Sequence, residues 1–134
     1  MATRSIIAKL DDKGIQAIYC HNDGYLSNNG KILDQHYADE NKVDNLIAQG
    51  DVSSLRDTIA DTTFYARDRG EENKEATNLN NETKLLEFAF ESCDAEVVYM
   101  FAYGSWYVYD NSNKIGNTSY QFIELEEALY NVLA

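Results

Sequence analysis

Apolar and polar residues alternate along two short segments near the start of the chain. In residues 5–10, Ile6, Ala8 and Leu10 are apolar and alternate with neighbours that we expect to be polar or exposed. A second strand-like run covers residues 15–20. Alternation with a period of two predicts half-buried β-strands. The residues between them, 11–14, predict a hairpin connection, because Gly14 accepts a positive φ.

Apolar residues spaced three and four apart predict helices in the middle and at the end of the chain. Asn28 or Asn29 suits the N-cap of a first short helix, and Asp39 suits the N-cap of a second, which ends before Gly50. The apolar faces of four predicted helices are Ile32, Leu33, His36 and Tyr37; Val43, Leu46 and Ile47; Leu85, Leu86, Phe88, Ala89 and Phe90; and Leu125, Ala128, Leu129, Val132 and Leu133.

The remaining pattern is β-rich and interrupted by one polar segment. Residues 62–66 are β-branched or aromatic and predict a short strand. Residues 97–102 and 106–109 flank Gly104 and Ser105, a pair that suits a type II′ hairpin turn. Residues 71–82 are acidic, Asn-rich and poor in apolar side chains, so we expect a mobile loop there. The sum predicts one α+β domain over residues 1–134: an antiparallel β-sheet core with short helices packed on it and a C-terminal helix.

Length and composition agree with one folded domain. The chain has 134 residues, of which 44% are hydrophobic, enough for a core of ordinary size. It has two cysteines, Cys20 and Cys93, both in apolar runs where a small buried side chain is expected. We find no apolar run long enough for a membrane helix and no secretory leader, and therefore expect a cytoplasmic protein.

The charge is strongly negative. The chain has 11 Lys and Arg residues and 23 Asp and Glu residues, which gives a net charge of −12. Such a chain repels nucleic acid and anionic membranes. Two uses of the charge stay open: it keeps the protein soluble, or it imitates a polyanion and occupies the DNA-binding groove of another protein.

Common catalytic and metal-binding motifs are missing from the sequence. It has no Gly-rich phosphate loop, no His-x-x-x-His, no Cys-x-x-Cys and no Gly-x-Ser-x-Gly. Cys20 and His21 are adjacent on a predicted strand, so they should point to opposite faces rather than form a catalytic pair. We therefore predict no catalytic residue, no cofactor and no metal site.

The polar segment at residues 19–33 is the first candidate for ligand contact. Its candidate side chains are Asp23, Tyr25, Asn28 and Asn29. A loop this polar, held between two regular elements, is where ligand contacts are often found. The alternative is an ordinary strand-to-helix turn, since Asp-Gly and Asn-Gly pairs are common turn residues.

A second candidate combines scarce arginines with aromatic rings. Arg67 and Arg69 follow Phe64 and Tyr65 directly. A guanidinium group binds phosphate through two parallel hydrogen bonds, and an adjacent ring can stack on a base. The alternative is an ion pair with Asp68 or with the carboxylates at 71 and 72 that orders the loop. Arg4 is a third phosphate contact or a solvated terminal residue.

Five segments, in this order, resemble a widespread family of small acidic proteins of tailed phages and prophages. They are Met-Ala-Thr-Arg-Ser-Ile-Ile-Ala at 1–8, Ile-Tyr-Cys-His-Asn-Asp-Gly-Tyr at 18–25, Asn-Asn-Gly-Lys-Ile-Leu at 28–33, the segment 42–55, and Thr-Thr-Phe-Tyr-Ala-Arg-Asp-Arg-Gly-Glu at 62–71. The likeness covers the first half of the chain well and the second half only in outline. The resemblance implies that this family includes the anti-Thoeris sponges, phage proteins that bind cyclic ADP-ribose signals and withhold them from host immune effectors.

This resemblance implies a function without catalysis. A sponge protein is expected to be a homodimer or higher symmetric homo-oligomer that sequesters a nucleotide-like signal in the cytoplasm of the infected bacterium. The partners expected are then a small ligand and further copies of the chain, with no nucleic acid and no membrane. Two alternatives stay open: an acidic DNA-mimic inhibitor of a host defence protein, and an enzyme that degrades a nucleotide signal.

Overall fold

One mixed β-sheet forms the centre of the computed structural model, which describes residues 3–70, 76–111 and 122–133 and the side chains up to residue 130. Within these ranges the strands are β1 (Ser5–Asp11), β2 (Gly14–Cys20), β3 (Val52–Ser54), β4 (Thr63–Phe64), β5 (Thr77–Leu79), β6 (Val97–Ala102), β7 (Ser105–Asp110) and β8 (Ile123–Glu124). The helices are α1 (Lys31–His36), α2 (Glu40–Ala48), α3 (Tyr65–Arg69), α4 (Glu82–Glu87) and α5 (Leu125–Leu133), with π-helical turns at Leu26–Gly30 and Phe88–Ser92. The predicted α+β class with a C-terminal helix is confirmed.

The sheet is mostly antiparallel. Its strand order is β4-β3-β2-β1-β6-β7-β8, and the exceptions are the parallel pairs β1–β6 and β2–β3. Strand β5 pairs with the outer edge of β2 and lies within the segment 71–82, where we expected a loop. Main-chain pairing with an open strand edge needs few apolar side chains, and this is why composition did not reveal β5. Residues 71–75 of that segment lie outside the described residues.

Both faces of the central strands are buried. Ile7 of β1 belongs to a core cluster beneath α1, α2 and α5, whereas Ile6 and Ala8 belong to a second cluster beneath α4. The expected alternation of buried and exposed positions in β1 is therefore wrong for its first half. Strands covered by helices on both sides are apolar on both sides.

Lys9 shows how the sheet accommodates a charge under a helix. Its side chain is only 7% exposed, and its ammonium group pairs with Glu40 at 3.0 Å and with Asp44, both on α2. Burial lowers the pKa of Lys9, but the two carboxylates outweigh that effect and leave its pKa above the ordinary value. The pairing ties α2 to β1.

The β6–β7 hairpin turns one residue earlier than predicted. Ala102 pairs with Ser105, so the two turn residues are Tyr103 and Gly104, with φ values of 54° and 79°. Two positive φ values define a type I′ turn, and the predicted type II′ turn at Gly104 and Ser105 is wrong. The sequence suggested the wrong pair because Tyr rarely adopts a positive φ.

The predicted strand at residues 62–66 is shorter than expected and continues as a helix. Only β4 is extended, and α3 follows it at once. The Asp68 carboxylate accepts a hydrogen bond from the Phe64 backbone N–H at 2.8 Å, and the Tyr65 N–H donates to the Asp51 carbonyl at 3.2 Å. These bonds favour the helical bend over an extended chain.

The predicted helix ends are confirmed at α2. The Asp39 side chain caps its N-terminus by accepting from the Asn41 N–H, and Gly50 follows with a φ of 83°. In α5 the predicted buried positions Leu125, Ala128 and Leu129 lie in the core, while the side chains at 132 and 133 lie outside the described residues. In the described part of the chain, no helix has both the length and the hydropathy needed to cross a bilayer.

Candidate functional site

Asn29 is a buried structural residue rather than a ligand contact. It has no exposed surface, and its Nδ2 lies 3.3 Å from Ser5 Oγ, 3.3 Å from Cys20 Sγ and 3.4 Å from the Asn22 carbonyl oxygen. Its amide therefore joins β1, the end of β2 and the loop after it. Its burial inside the fold contradicts the predicted ligand role of Asn29. The predicted cap of α1 by Asn28 or Asn29 is also wrong, because Gly30 is the N-cap and no side chain caps this helix.

The loop around Gly24 is held rigidly against β1 and β6. The Gly24 N–H donates to the Thr3 carbonyl at 2.8 Å, and its carbonyl accepts from Tyr99 Oη at 2.6 Å. A Cβ at position 24 would lie 2.7 Å from Ser5 Cβ, so only glycine fits this close approach. At Gly24 itself, these contacts describe a tight, close-packed turn.

Three candidates from the same loop keep accessible side chains. Tyr25 is 42% exposed. Asp23 is half-buried with a φ of 57°, and its carbonyl accepts a hydrogen bond from Asn28 Nδ2 at 3.3 Å. Asn28 is also half-buried and donates to Asn29 Oδ1 at 3.0 Å. Of these three, Asn28 lines a cleft.

The Arg67 guanidinium group is occupied by its own segment. It donates to the carbonyl of Ile59 at 2.8 Å and of Thr62 at 2.6 Å, and it makes two 2.9 Å bonds to the Asp68 carboxylate. The Asp68 carboxylate accepts hydrogen bonds from the Arg67 guanidinium group and from the Phe64 N–H. These bonds hold the pKa of Asp68 below its ordinary value. The alternative ion-pair interpretation therefore describes Arg67, which closes the 59–68 loop.

The rings of Phe64 and Tyr65, which we expected to stack on a base, differ in how exposed they are. Phe64 is completely buried beneath the Arg67 guanidinium carbon, which lies 4.8 Å from the ring centroid, so its predicted stacking on a ligand is wrong. Tyr65 is half-buried, and the guanidinium carbon of Arg69 lies 5.1 Å from its ring centroid. Arg69 is exposed and its contact with Tyr65 leaves its hydrogen-bond donors at the surface.

The two candidate segments meet at one end of β2, on the face opposite Cys20. Tyr19 Oη and His21 Nδ1 are joined by a 2.7 Å hydrogen bond. Burial raises the pKa of Tyr19, the nearby Arg4 lowers it, and the neighbouring Tyr65 raises it further. Arg4 also pairs with Asp94 at 3.0 Å. The strand order brings these groups together, because β3 links the end of β2 to β4.

The described residues also form a cleft of about 430 Å³ beside α1, called here the basic cleft. It is lined by Ser27, Asn28, Lys31, Ile32, Gln35, His36, Arg56 and Asp57. Among our eight sequence-based candidates only Asn28 lines it. Tyr65 and Arg69 lie outside it.

The basic cleft concentrates positive charge in an acidic protein. Lys31 and Arg56 are exposed, and the one carboxylate in the lining, Asp57, lies 3.5 Å from His36 Nε2. The Arg56 backbone is fixed, since its carbonyl accepts from Tyr37 Oη at 3.0 Å. Chemically, the lining offers two permanent cations, an imidazole and neutral amides to an anionic, hydrogen-bonding molecule.

Sequence reasoning missed Lys31, His36 and Arg56 for one reason. Each is a single polar residue among ordinary neighbours, and 25 positions separate Lys31 from Arg56 along the chain. The clue that was available is Lys31 directly after the Asn-Asn-Gly segment. The π-helical turn at Leu26–Gly30 marks the same place, since such turns are rare and frequent at functional sites.

The two thiols differ in exposure. Cys20 is fully buried, and burial raises its pKa to about 11, so it is protonated at neutral pH. Its side chain faces the core that contains Asn29, while His21 bonds to Tyr19 on the other face, as the strand geometry predicted. Cys93 is half-buried, and burial raises its pKa as well. In the described ranges, no three His, Cys, Asp or Glu side chains converge as a metal site would require.

No family model matches the chain, and no curated protein or solved structure matches it.

Proposed function

We propose that the protein binds a phosphate-bearing, nucleotide-like small molecule in the basic cleft and releases it unchanged. The observation that supports this most is that Lys31 and Arg56 both line one cleft of about 430 Å³ in a chain of net charge −12. Ligand clefts in proteins typically enclose about 300–1,000 Å³, so the volume suits a small molecule.

Each group in the lining has a chemical part in this proposal. Arg56 and Lys31 bind phosphate oxygens through charge-assisted hydrogen bonds. Asn28 and Gln35 offer amide donors and acceptors to ribose hydroxyls or a base edge. Ile32 supplies an apolar surface for a ring. His36 adds a third donor, and its positive charge when protonated strengthens the attraction for an anion.

The cellular role we propose is sequestration of a cyclic ADP-ribose isomer or a related cyclic nucleotide during phage infection, in the cytoplasm of the host. It rests on the resemblance of the first half of the chain to phage proteins. Sequestration works by mass action, because a tight binder lowers the concentration of free signal below what an effector needs. The proposal includes a homodimer or higher symmetric assembly, which native mass spectrometry measures directly.

Isothermal titration with cyclic ADP-ribose isomers tests the site. We expect Arg56→Ala and Lys31→Ala each to weaken binding by about 1.5–3 kcal/mol, the scale of a hydrogen bond to a charged group. Lys42→Ala is the matched control, since Lys42 is exposed on α2 and lies outside the cleft lining. It removes the same charge from the chain and should change the affinity by less than about 0.5 kcal/mol.

Two results would contradict the proposal. Equal losses in Lys31→Ala and Lys42→Ala would mean that net charge, rather than the cleft, governs binding. Ligand recovered after heat release in a chemically altered form would show an enzyme instead of a binding protein. Mass spectrometry of the released ligand distinguishes these two classes.

A further inference from the structure

A second cleft, called here the aromatic cleft, lies on the opposite side of the sheet beside α4. Its volume is about 510 Å³, and its lining is Glu82, Thr83, Leu86, Glu87, Phe90, Glu91, Tyr109 and Asn111. Tyr109 belongs to β7 and to the second core cluster, whereas the basic cleft lies beside the helices of the first cluster. The two clefts therefore share no lining residue.

Two rings, those of Phe90 and Tyr109, line the floor of the aromatic cleft, and their centroids are 5.7 Å apart. The ring of Phe122, whose centroid is 5.9 Å from that of Tyr109, lies outside the cleft lining. Leu86 and Phe90 are only half-buried against the core, so each leaves apolar surface facing the cleft. Tyr109, only 3% exposed, forms the buried base beneath them. Apolar side chains that keep exposed surface within a concave site are typical of protein interaction sites.

The π-helical turn at Phe88–Ser92 aligns this surface. The helical residues of the lining follow a period of four: 82, 86 and 90 in one row, and 83, 87 and 91 in the next. A regular α-helix would rotate position 90 by about 80° away from position 82. The wider turn reduces that rotation and keeps Phe90 and Glu91 on the cleft side. Such π-helical turns are rare and are often found at functional sites.

The rim of the aromatic cleft is acidic. Glu82, Glu87 and Glu91 are exposed around the apolar floor. Among the described residues, Glu87 pairs with Lys84 at 3.4 Å, and Glu82 and Glu91 make no ion pair. A second copy of this chain would bring the same carboxylates against these, at a net charge of −12 for each copy. Charge complementarity therefore favours a cationic partner.

We propose that the aromatic cleft binds a basic amphipathic helix of a partner protein. The apolar stripe of such a helix packs on Leu86 and Phe90, and lysines or arginines beside the stripe pair with the rim carboxylates. This is the helix-in-groove mode, in which residues spaced three and four apart act as anchors. The inference is independent of the basic cleft and of the ligand proposed there.

Fluorescence anisotropy with a synthetic peptide tests this inference. The probe is a labelled helix of about 14 residues with leucines on one face and lysines beside them, near the length at which isolated helices become stable. A scrambled peptide of equal composition carries the same charge without the apolar stripe. We expect the scrambled peptide to bind at least about tenfold more weakly, because apolar burial is lost.

Variants of the protein locate the binding. Leu86→Ala should weaken binding of the amphipathic peptide about tenfold. Leu79→Ala is the control, because Leu79 is also half-buried against the same core but lies outside the cleft, and it should leave this affinity nearly unchanged. The double variant Glu87→Gln and Glu91→Gln should weaken binding of the amphipathic peptide about fivefold at low salt. Thr83→Arg adds bulk and positive charge at an exposed position of the lining, and it should abolish binding without a loss of core packing.

Three outcomes would overturn the inference. The first is that the scrambled peptide binds as tightly as the amphipathic peptide. The second is that Leu86→Ala and Leu79→Ala lose the same affinity for the amphipathic peptide. The third is that Thr83→Arg keeps both its melting temperature and its affinity for that peptide. A homodimer that dissociates in Thr83→Arg would also overturn it, since a second copy of the chain would then be the occupant.

Discussion

Removing the buried amide of Asn29 should destabilise the whole fold. Asn29→Ala removes the Nδ2 donors that reach Ser5, Cys20 and the Asn22 carbonyl, and the Oδ1 acceptor of the 3.0 Å bond from Asn28. Nδ2 carries two N–H donors, so it bonds to two of its three neighbours at any moment, and Oδ1 accepts a third hydrogen bond. Each of these three bonds contributes about 1 kcal/mol net. We expect the free energy of unfolding to fall by about 2–4 kcal/mol, a large part of the 5–15 kcal/mol typical of a domain.

Urea unfolding followed by circular dichroism measures this loss by linear extrapolation. Asn45→Ala is the matched control, because Asn45 is exposed on α2 and the same substitution there should change stability by no more than about 0.5 kcal/mol. A loss below about 1 kcal/mol in Asn29→Ala, or a loss equal to that of the control, would refute the structural role argued for this amide.

Three further predictions concern a turn, a carboxylate and a thiol. Tyr103→Asn should raise the free energy of unfolding by about 0.5–1 kcal/mol, since Asn before Gly104 adopts the positive φ of a type I′ turn more easily than Tyr does; an unchanged urea midpoint would contradict this. The pKa of Asp68 is lowered by its bond to Arg67, so its contribution to stability is complete above the unfolded pKa of about 3.9 and is lost as the pH falls through the lower folded value. Asp68→Asn should therefore flatten the acid limb of the stability profile, and an identical profile would show that the pair contributes nothing. The native Cys20 thiol, buried with a pKa of about 11, should resist alkylation at pH 8 until the protein unfolds, which intact-mass spectrometry detects as an unmodified residue.

Local signals in the sequence were informative wherever the responsible contacts lie within a few residues. Asp39 caps α2 as expected, because an N-cap bond reaches only two or three residues ahead. Gly50 has the positive φ expected after that helix. The same reasoning was wrong for Asn29, since its partner Ser5 is 24 residues away in the sequence and the amide turned out to be buried.

The candidate site shows the limit of that reasoning most clearly. Arg67 and Phe64 had the side chains that phosphate and a base require, but a neighbouring carboxylate and three-dimensional burial occupied them. Lys31 and Arg56 gave no local signal, because neither belongs to a motif or to a run of like residues. Only the packing of the segment after β3 against the end of α1, with Tyr37 bonded to the Arg56 carbonyl, placed them at one cleft.

The amino-acid sequence by itself determined the α+β class, the first hairpin, the caps of α2 and the acidic character of the surface. These follow from periodicity, turn residues and charge, each of which acts over a few positions. Only the tertiary structure decided which faces of β1 are buried, that β5 pairs with β2, and which cations share a cleft. Such features depend on contacts between distant segments, whose choice is set by the packing of the whole core.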